Sequence, residues 1–207
     1  MSEERPQYQC QALVKVDDMK SLGSVLARSG YFQDAREEAQ AVVKVLAGQE
    51  LGLGPIASMT GIYIVKGRVT LSANLIGAAI KRSGRYDYQV VKLDNTGCVL
   101  RFYEKDGTGK RELIGESTFG DADAKQAGLG GDNWTKFRRN MHFARAMSNG
   151  AKWYCPDVFA GPIYTPDELG ARVDGETGEI IDGEIVAPPP EPTPQPAPVP
   201  DPSPTPP

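Results

Sequence analysis

The apolar residues of this chain change their spacing at Ile62, from a helical period to strict alternation, and that switch marks an α+β fold. Before it, Met19, Leu22, Val25 and Leu26 share one face of a helix over 17–29, with Asp17 or Asp18 as cap and Gly30 past its end. A second helix from Asp34 to Ala47 turns Ala39, Val42, Val43 and Leu46 inward, with Gly48 near its end. Gly52-Leu53-Gly54-Pro55 is punctuation that can open a short helix towards Met59, a helix not counted among the main elements. After the switch, 62–65 and 68–71 flank Lys66-Gly67 as a two-residue hairpin. Ser72 caps a helix to about Arg82, with Leu75, Ile76, Ala79 and Ile80 inward and Gly84 past its end. The runs 86–93, 98–105 and 112–119 form an antiparallel meander. Asp121 caps a short helix to about Gly128, and a longer helix runs from Asn133 to Tyr154, stopped by Pro156. The expected order is ααββαβββαα, a small antiparallel sheet (hairpin plus three-stranded meander) packed with helices.

Charge divides the chain of 207 residues. Its net charge is −4, yet residues 1–165 carry 22 basic and 18 acidic side chains, whereas 166–207 carry 1 and 9. The last 20 residues hold 12 of the 17 prolines. We therefore expect a flexible N-terminus over 1–16, a folded domain over 17–170, and a disordered tail over 171–207. The tail is acidic and then Pro-rich, with a mini-hairpin across Glu176-Thr177-Gly178 and polyproline beyond. No apolar run approaches the roughly 18–20 residues of a membrane span, so no membrane partner is expected. The polar start Met1-Ser2-Glu3-Glu4-Arg5 lacks the apolar segment of a secretory signal. Cys10, Cys98 and Cys155 form neither a disulfide framework nor a metal pattern, so a reduced, cytoplasmic protein is expected.

Enzyme signatures are sparse. A P-loop needs Gly at position 104 and Ser or Thr at 111, where Glu104 and Arg111 stand around Gly109-Lys110. A nucleophilic triad would have to use His142, the single histidine, whose mid-helix place suits a packed or surface imidazole better. Asp121, Asp123 and Lys125 resemble the acidic pair and lysine of metal-dependent nucleases, but helix capping already accounts for two aspartates at a helix start. A metal-dependent DNA nuclease stands as one alternative function.

The stronger signal is electrostatic. From Asn133 to Pro156 there is no acidic residue, while Lys136, Arg138, Arg139, Arg145 and Lys152 bring five positive charges. Arg138, Arg145 and Lys152 fall within about 40° of one another on a helix, a row about 21 Å long, with Trp134, Met141 and Asn149 beside it. The opposite face carries Phe137, Phe143, Ala144, Met147, Ala151 and Tyr154 as core. A solvated face normally mixes signs, so an acid-free row with an aromatic neighbour suits a nucleic-acid backbone. Lys81, Arg82 and Arg85 make a second basic cluster, and Lys66 with Arg68 a third.

The segment Asn133-Trp134-Thr135-Lys136-Phe137-Arg138-Arg139-Asn140-Met141 resembles the RecT family of phage single-strand annealing proteins, related to Red beta. So do Ala144-Arg145-Ala146, Cys155-Pro156-Asp157-Val158, the stretch from Gly161 to Leu169, and Gly61-Ile62-Tyr63 through Lys66-Gly67 to Ser72-Ala73. The likeness extends over about 15–170; the part before Trp134 is shorter than is usual in that family. It implies a non-hydrolytic, ATP-independent protein of phage-type homologous recombination that binds single-stranded DNA and anneals complementary strands. It further implies homo-oligomeric rings or helical filaments, a bacterial cytoplasmic setting, and no obligatory cofactor, Mg²⁺ entering only through DNA. Mapped onto this chain, the groove residues are Lys136, Arg138, Arg139, Arg145 and Lys152 with Trp134 nearby, and then Lys66, Arg68, Lys81 and Arg82. The tail could dock a partner exonuclease or single-strand-binding protein, and an adaptor acting only through that tail is the remaining alternative.

Overall fold

A computed structural model of the chain describes residues 16–32, 34–159, 161, 163–173 and 180–182. Expectations for the N-terminal stretch, Cys10, the turn at Glu176-Thr177-Gly178 and the Pro-rich end lie outside them. The architecture is α+β, with seven α-helices and three small antiparallel sheets among the described residues.

Helices α1 (Val16–Arg28) and α2 (Glu38–Glu50) pack together, Gly23 lying against Val42 and Gln49 Nε2 reaching Met19 Sδ at 3.9 Å. In α1, Met19 and Leu26 are buried, while Val25, expected inward, is 67% exposed. The correction in α2 is larger. The helix begins at Glu38, where the Glu37 N–H donates to Gln40 Oε1 at 3.3 Å. It buries Ala41, Lys44, Val45 and Gly48, leaving the expected core residues Ala39, Val43 and Leu46 exposed. Tertiary contacts set this rotation: Lys44 Nζ meets Asp34 Oδ2 at 2.6 Å, and Gly48 admits Ser58 of α3 (Pro55–Gly61).

Strands β1 (Ile62–Val65) and β2 (Arg68–Leu71) pair as expected, and Lys66 (φ 50°) with Gly67 (φ 72°) supplies the two positive φ angles of a type I′ turn. Helix α4 (Ala73–Arg82) starts where Ser72 Oγ accepts the Leu75 N–H, and it buries Ile76, Ala79 and Ile80. The meander follows as β3 (Tyr86–Asp94), β4 (Gly97–Lys105) and β5 (Arg111–Gly120), paired in that order.

Helix α5 (Asp121–Gln126) leads to α6 (Asp132–Lys136) and α7 (Arg138–Tyr154). The expected single helix from Asn133 to Tyr154 is thus two helices, broken at Phe137 (φ −123°, ψ 39°). Neither Pro nor Gly marks the break, and the apolar period carries across it. Helix α7 lies between α4 and the meander. Its deepest side chains are Met141, His142, Ala146, Met147, Ser148 and Ala151, whereas Phe137, Phe143, Ala144 and Tyr154 are only half-buried. Being covered on more than one side, α7 cannot divide into one apolar and one wet face. Beyond it, a 3₁₀ turn (Pro156–Val158) is tied to β3, where Asp157 accepts from Tyr86 Oη at 2.7 Å and Arg85 Nη1 at 2.8 Å. A second 3₁₀ turn (Pro166–Leu169) precedes β6 (Arg172–Val173), which pairs with β7 (Ile180–Asp182). No helix among the described residues is long and apolar enough to cross a membrane.

Candidate nucleic-acid interface

Arg138, Arg145 and Lys152 all project from α7, but the row is not free of acids. Arg138 Nη1 lies 3.5 Å from Asp121 Oδ2, Lys152 Nζ 2.6 Å from Glu168 Oε2, and Arg145 Nη1 3.8 Å from Glu168 Oε1. These acids come from the start of α5 and from the second 3₁₀ turn, outside the window in which the helix reads as acid-free. Trp134 also needs correcting as a base-stacking group. It is 9% exposed and packs edge-on to the His142 ring, with centroids 5.4 Å apart, and against Phe119 at 6.2 Å. The core takes up this ring.

His142 has a wholly buried side chain, and its Nε2 lies 3.1 Å from Asp121 Oδ1. Asp121 therefore bridges His142 and Arg138, while Asp123 Oδ2 accepts the Gly120 N–H at 2.8 Å. The two carboxylates are engaged in pairing and capping rather than turned towards one point. Among the described residues, no group of three or more His, Cys, Asp or Glu could hold a metal ion. Burial pushes the Cys98 thiol up to about 11 and, with the nearby charges of Asp157 and Glu104, Cys155 up to about 12, which leaves both as inert core thiols.

The second basic cluster is also engaged. Lys81 pairs with Asp87 at 3.1 Å over the Tyr88 ring, Arg82 Nη1 donates to the Gly52 carbonyl at 3.0 Å, and Arg85 is held by Glu104 and Asp157. Four predicted residues remain exposed with no acid partner among the described residues: Lys66 and Arg68 on the hairpin, and Lys136 and Arg139 at the α6–α7 junction. Tyr164 joins the hairpin to the far end of α7. The Arg68 guanidinium lies 5.7 Å from its ring centre and Lys152 Nζ 4.9 Å. A groove of about 540 Å³ opens beside this ring, lined by Leu51, Arg68, Val69, Leu71, Phe159 and Ile163.

Glu168, Asp167 and Tyr164 carry no site signal in the sequence, although they lie inside the family-like block. Nothing in their spacing signals that they fold back onto α7. The Asp167 carboxyl is pushed above its ordinary range by burial, which outweighs the Thr165 hydroxyl and the Arg145 charge, and its Oδ2 has no hydrogen-bond partner. A carboxyl raised in the folded state gives stability that is complete below the unfolded pKa and lost as pH rises through the folded one. Asp167→Asn should therefore raise the melting temperature at neutral pH, and the gain should fade below about pH 4. Thermal unfolding across pH checks this; a gain that persists undiminished in acid would refute it.

Comparisons of this chain with protein-family models, with curated proteins and with solved structures find no match.

Proposed function

We propose that this chain binds single-stranded DNA through its phosphates and anneals complementary strands without ATP, acting as several copies along a strand. The observation that carries the reading is the convergence on Tyr164 of Arg68 from the hairpin and Lys152 from α7, cations 84 positions apart in sequence flanking one aromatic ring. Charge neutralises phosphates and a ring stacks on bases without reading their order, which is what pairing of any two complementary strands requires. Arg139 extends the cationic track to the other end of α7, about 20 Å from Lys152 at ~1.5 Å per residue, and Lys136 continues it on α6. The family-like block supports the same reading, and weak sites repeated in neighbouring copies gain through effective concentration. A partner exonuclease or single-strand-binding protein docked on the acidic and Pro-rich tail belongs to this proposal.

The test combines Lys66→Ala, Arg68→Ala, Lys136→Ala and Arg139→Ala, all surface changes outside the core. Binding to a labelled oligothymidylate should weaken at every salt concentration, with the log–log salt slope falling by about 0.7 for each phosphate the variant no longer neutralises. Annealing of complementary labelled oligonucleotides without ATP should fall in parallel. A folded variant that binds and anneals like the parent would overturn the site, and a parent chain that binds no single strand would overturn the function.

A further inference from the structure

Glu168 sits in a setting unusual for a surface carboxylate. Its side chain is 8% exposed. Ser148 Oγ and Thr165 Oγ1 both donate to Oε1, the latter at 3.2 Å, and Lys152 Nζ donates to Oε2 at 2.6 Å. Two hydroxyls, an ammonium and a guanidinium therefore face one point, with the buried Asp167 carboxyl beside Thr165 and Arg145 as a further acid, and the donors suit a tetrahedral oxyanion. The carboxylate fills it incompletely. Arg145 Nη1 stands 3.8 Å away, beyond hydrogen-bond reach, and the buried Arg145 Nε has no acceptor. A phosphate brings more oxygens than a carboxylate and could satisfy that unused edge of the guanidinium. The neighbouring backbone is well anchored, with Thr165 and Pro166 buried and the Leu71 N–H donating to the Tyr164 carbonyl at 2.8 Å. The pocket meets solvent on the Lys152 side, 29% exposed.

We propose that Arg145, Ser148, Lys152 and Thr165 form a phosphate site that the Glu168 carboxylate fills in the free chain and yields to a backbone phosphate of a single DNA strand. The ligand's identity rests on the nucleic-acid reading above; the pocket does not. Filled by Glu168, the site repels weakly held polyanions. A strand gains it only when Arg68 holds a neighbouring phosphate, and the Tyr164 ring a base, at its mouth.

Glu168→Gln keeps the shape and removes the charge. It should tighten oligothymidylate binding about tenfold and steepen the salt slope by about 0.7 per phosphate newly engaged. Adding Arg145→Ala should cancel both gains. In parallel, inorganic phosphate should raise the melting temperature of Glu168→Gln but not of the parent. If oligothymidylate binding and slope match the parent and phosphate does not stabilise Glu168→Gln, the pocket is refuted while the parent's DNA binding stands. If neither protein binds oligothymidylate but phosphate stabilises Glu168→Gln, the pocket holds and the DNA reading fails. Should Glu168→Gln not fold, Glu168→Asp keeps the charge but withdraws it by one methylene, and the same two readouts apply with smaller gains; parent-like values for both refute the pocket.

Discussion

Asp34→Ala is expected to destabilise the fold by about 3–5 kcal/mol, whereas Lys44→Met, which leaves the part-exposed Asp34 carboxylate as the unpaired charge, should cost less. The Lys44 side chain is wholly buried, and its ammonium meets Asp34 Oδ2 at 2.6 Å with the Tyr63 ring 5.3 Å away. Burial pulls the Lys44 pKa below its ordinary value despite the opposing pull of Asp34, so the pair does not fully offset its desolvation. Removing Asp34 strands a wholly buried charge; replacing Lys44 by an apolar side chain of similar length removes the lysine's desolvation and leaves a carboxylate that still reaches water at 22% exposure. A lysine with a depressed folded pKa binds its proton less tightly in the folded state, so stability rises as pH climbs through the folded value towards the ordinary lysine range. The deficit of Asp34→Ala should therefore shrink in alkaline buffer. Urea unfolding of both variants at neutral and alkaline pH decides the matter, and Lys44→Met proving more damaging than Asp34→Ala would refute this account.

The same lysine shows where sequence reading runs out. The hairpin around Lys66-Gly67 and the Ser72 cap are legible because each rests on contacts within a few residues, and the observed strands and cap fall where expected. The meander is legible because its three runs are consecutive and alternate. The inward face of α2 is not, since Lys44 is drawn in by Asp34 ten positions earlier and Gly48 by Ser58 of the next helix, leaving Val43 and Leu46 outside. The cationic row fails in the same way. Within its own window α7 has no acid, so its balance depends on Glu168, sixteen positions past Lys152, and on Asp121 before it. Trp134 offered charge context as its only clue, and an aromatic beside arginines reads alike whether it faces solvent or fills a core. What survives from the sequence is the exposed set Lys66, Arg68, Lys136 and Arg139.

How firmly α7 presents Arg139, Arg145 and Lys152 depends on its seat against the sheet, and the seat is made by a glycine on each side. A Cβ on Gly150 of α7 would fall within the Phe102 ring, and one on Gly115 of β5 within the Tyr154 ring. Phe102 is wholly buried, and its ring centre lies 5.5 Å from that of Tyr154. Phe102→Ala should therefore destabilise by about 3–5 kcal/mol through forfeited transfer energy and a residual cavity. Gly150→Val should cost about 3 kcal/mol, the upper end of ordinary overpacking, because the flanking helix and sheet fix the ring and leave it nowhere to move. Val forgoes most of the helix-propensity gain that Ala would bring, so propensity does not mask the clash. The two changes should not add. The valine methyls occupy the volume the phenyl vacates, so the double variant should be more stable than the summed losses by about 1–3 kcal/mol. Urea denaturation of the four proteins gives the coupling directly, and additive losses would show that α7 does not rest on Phe102. Because Gly150 lies between Arg145 and Lys152, Gly150→Val alone should also shift the cationic strip and weaken oligothymidylate binding, and the double variant should recover part of it.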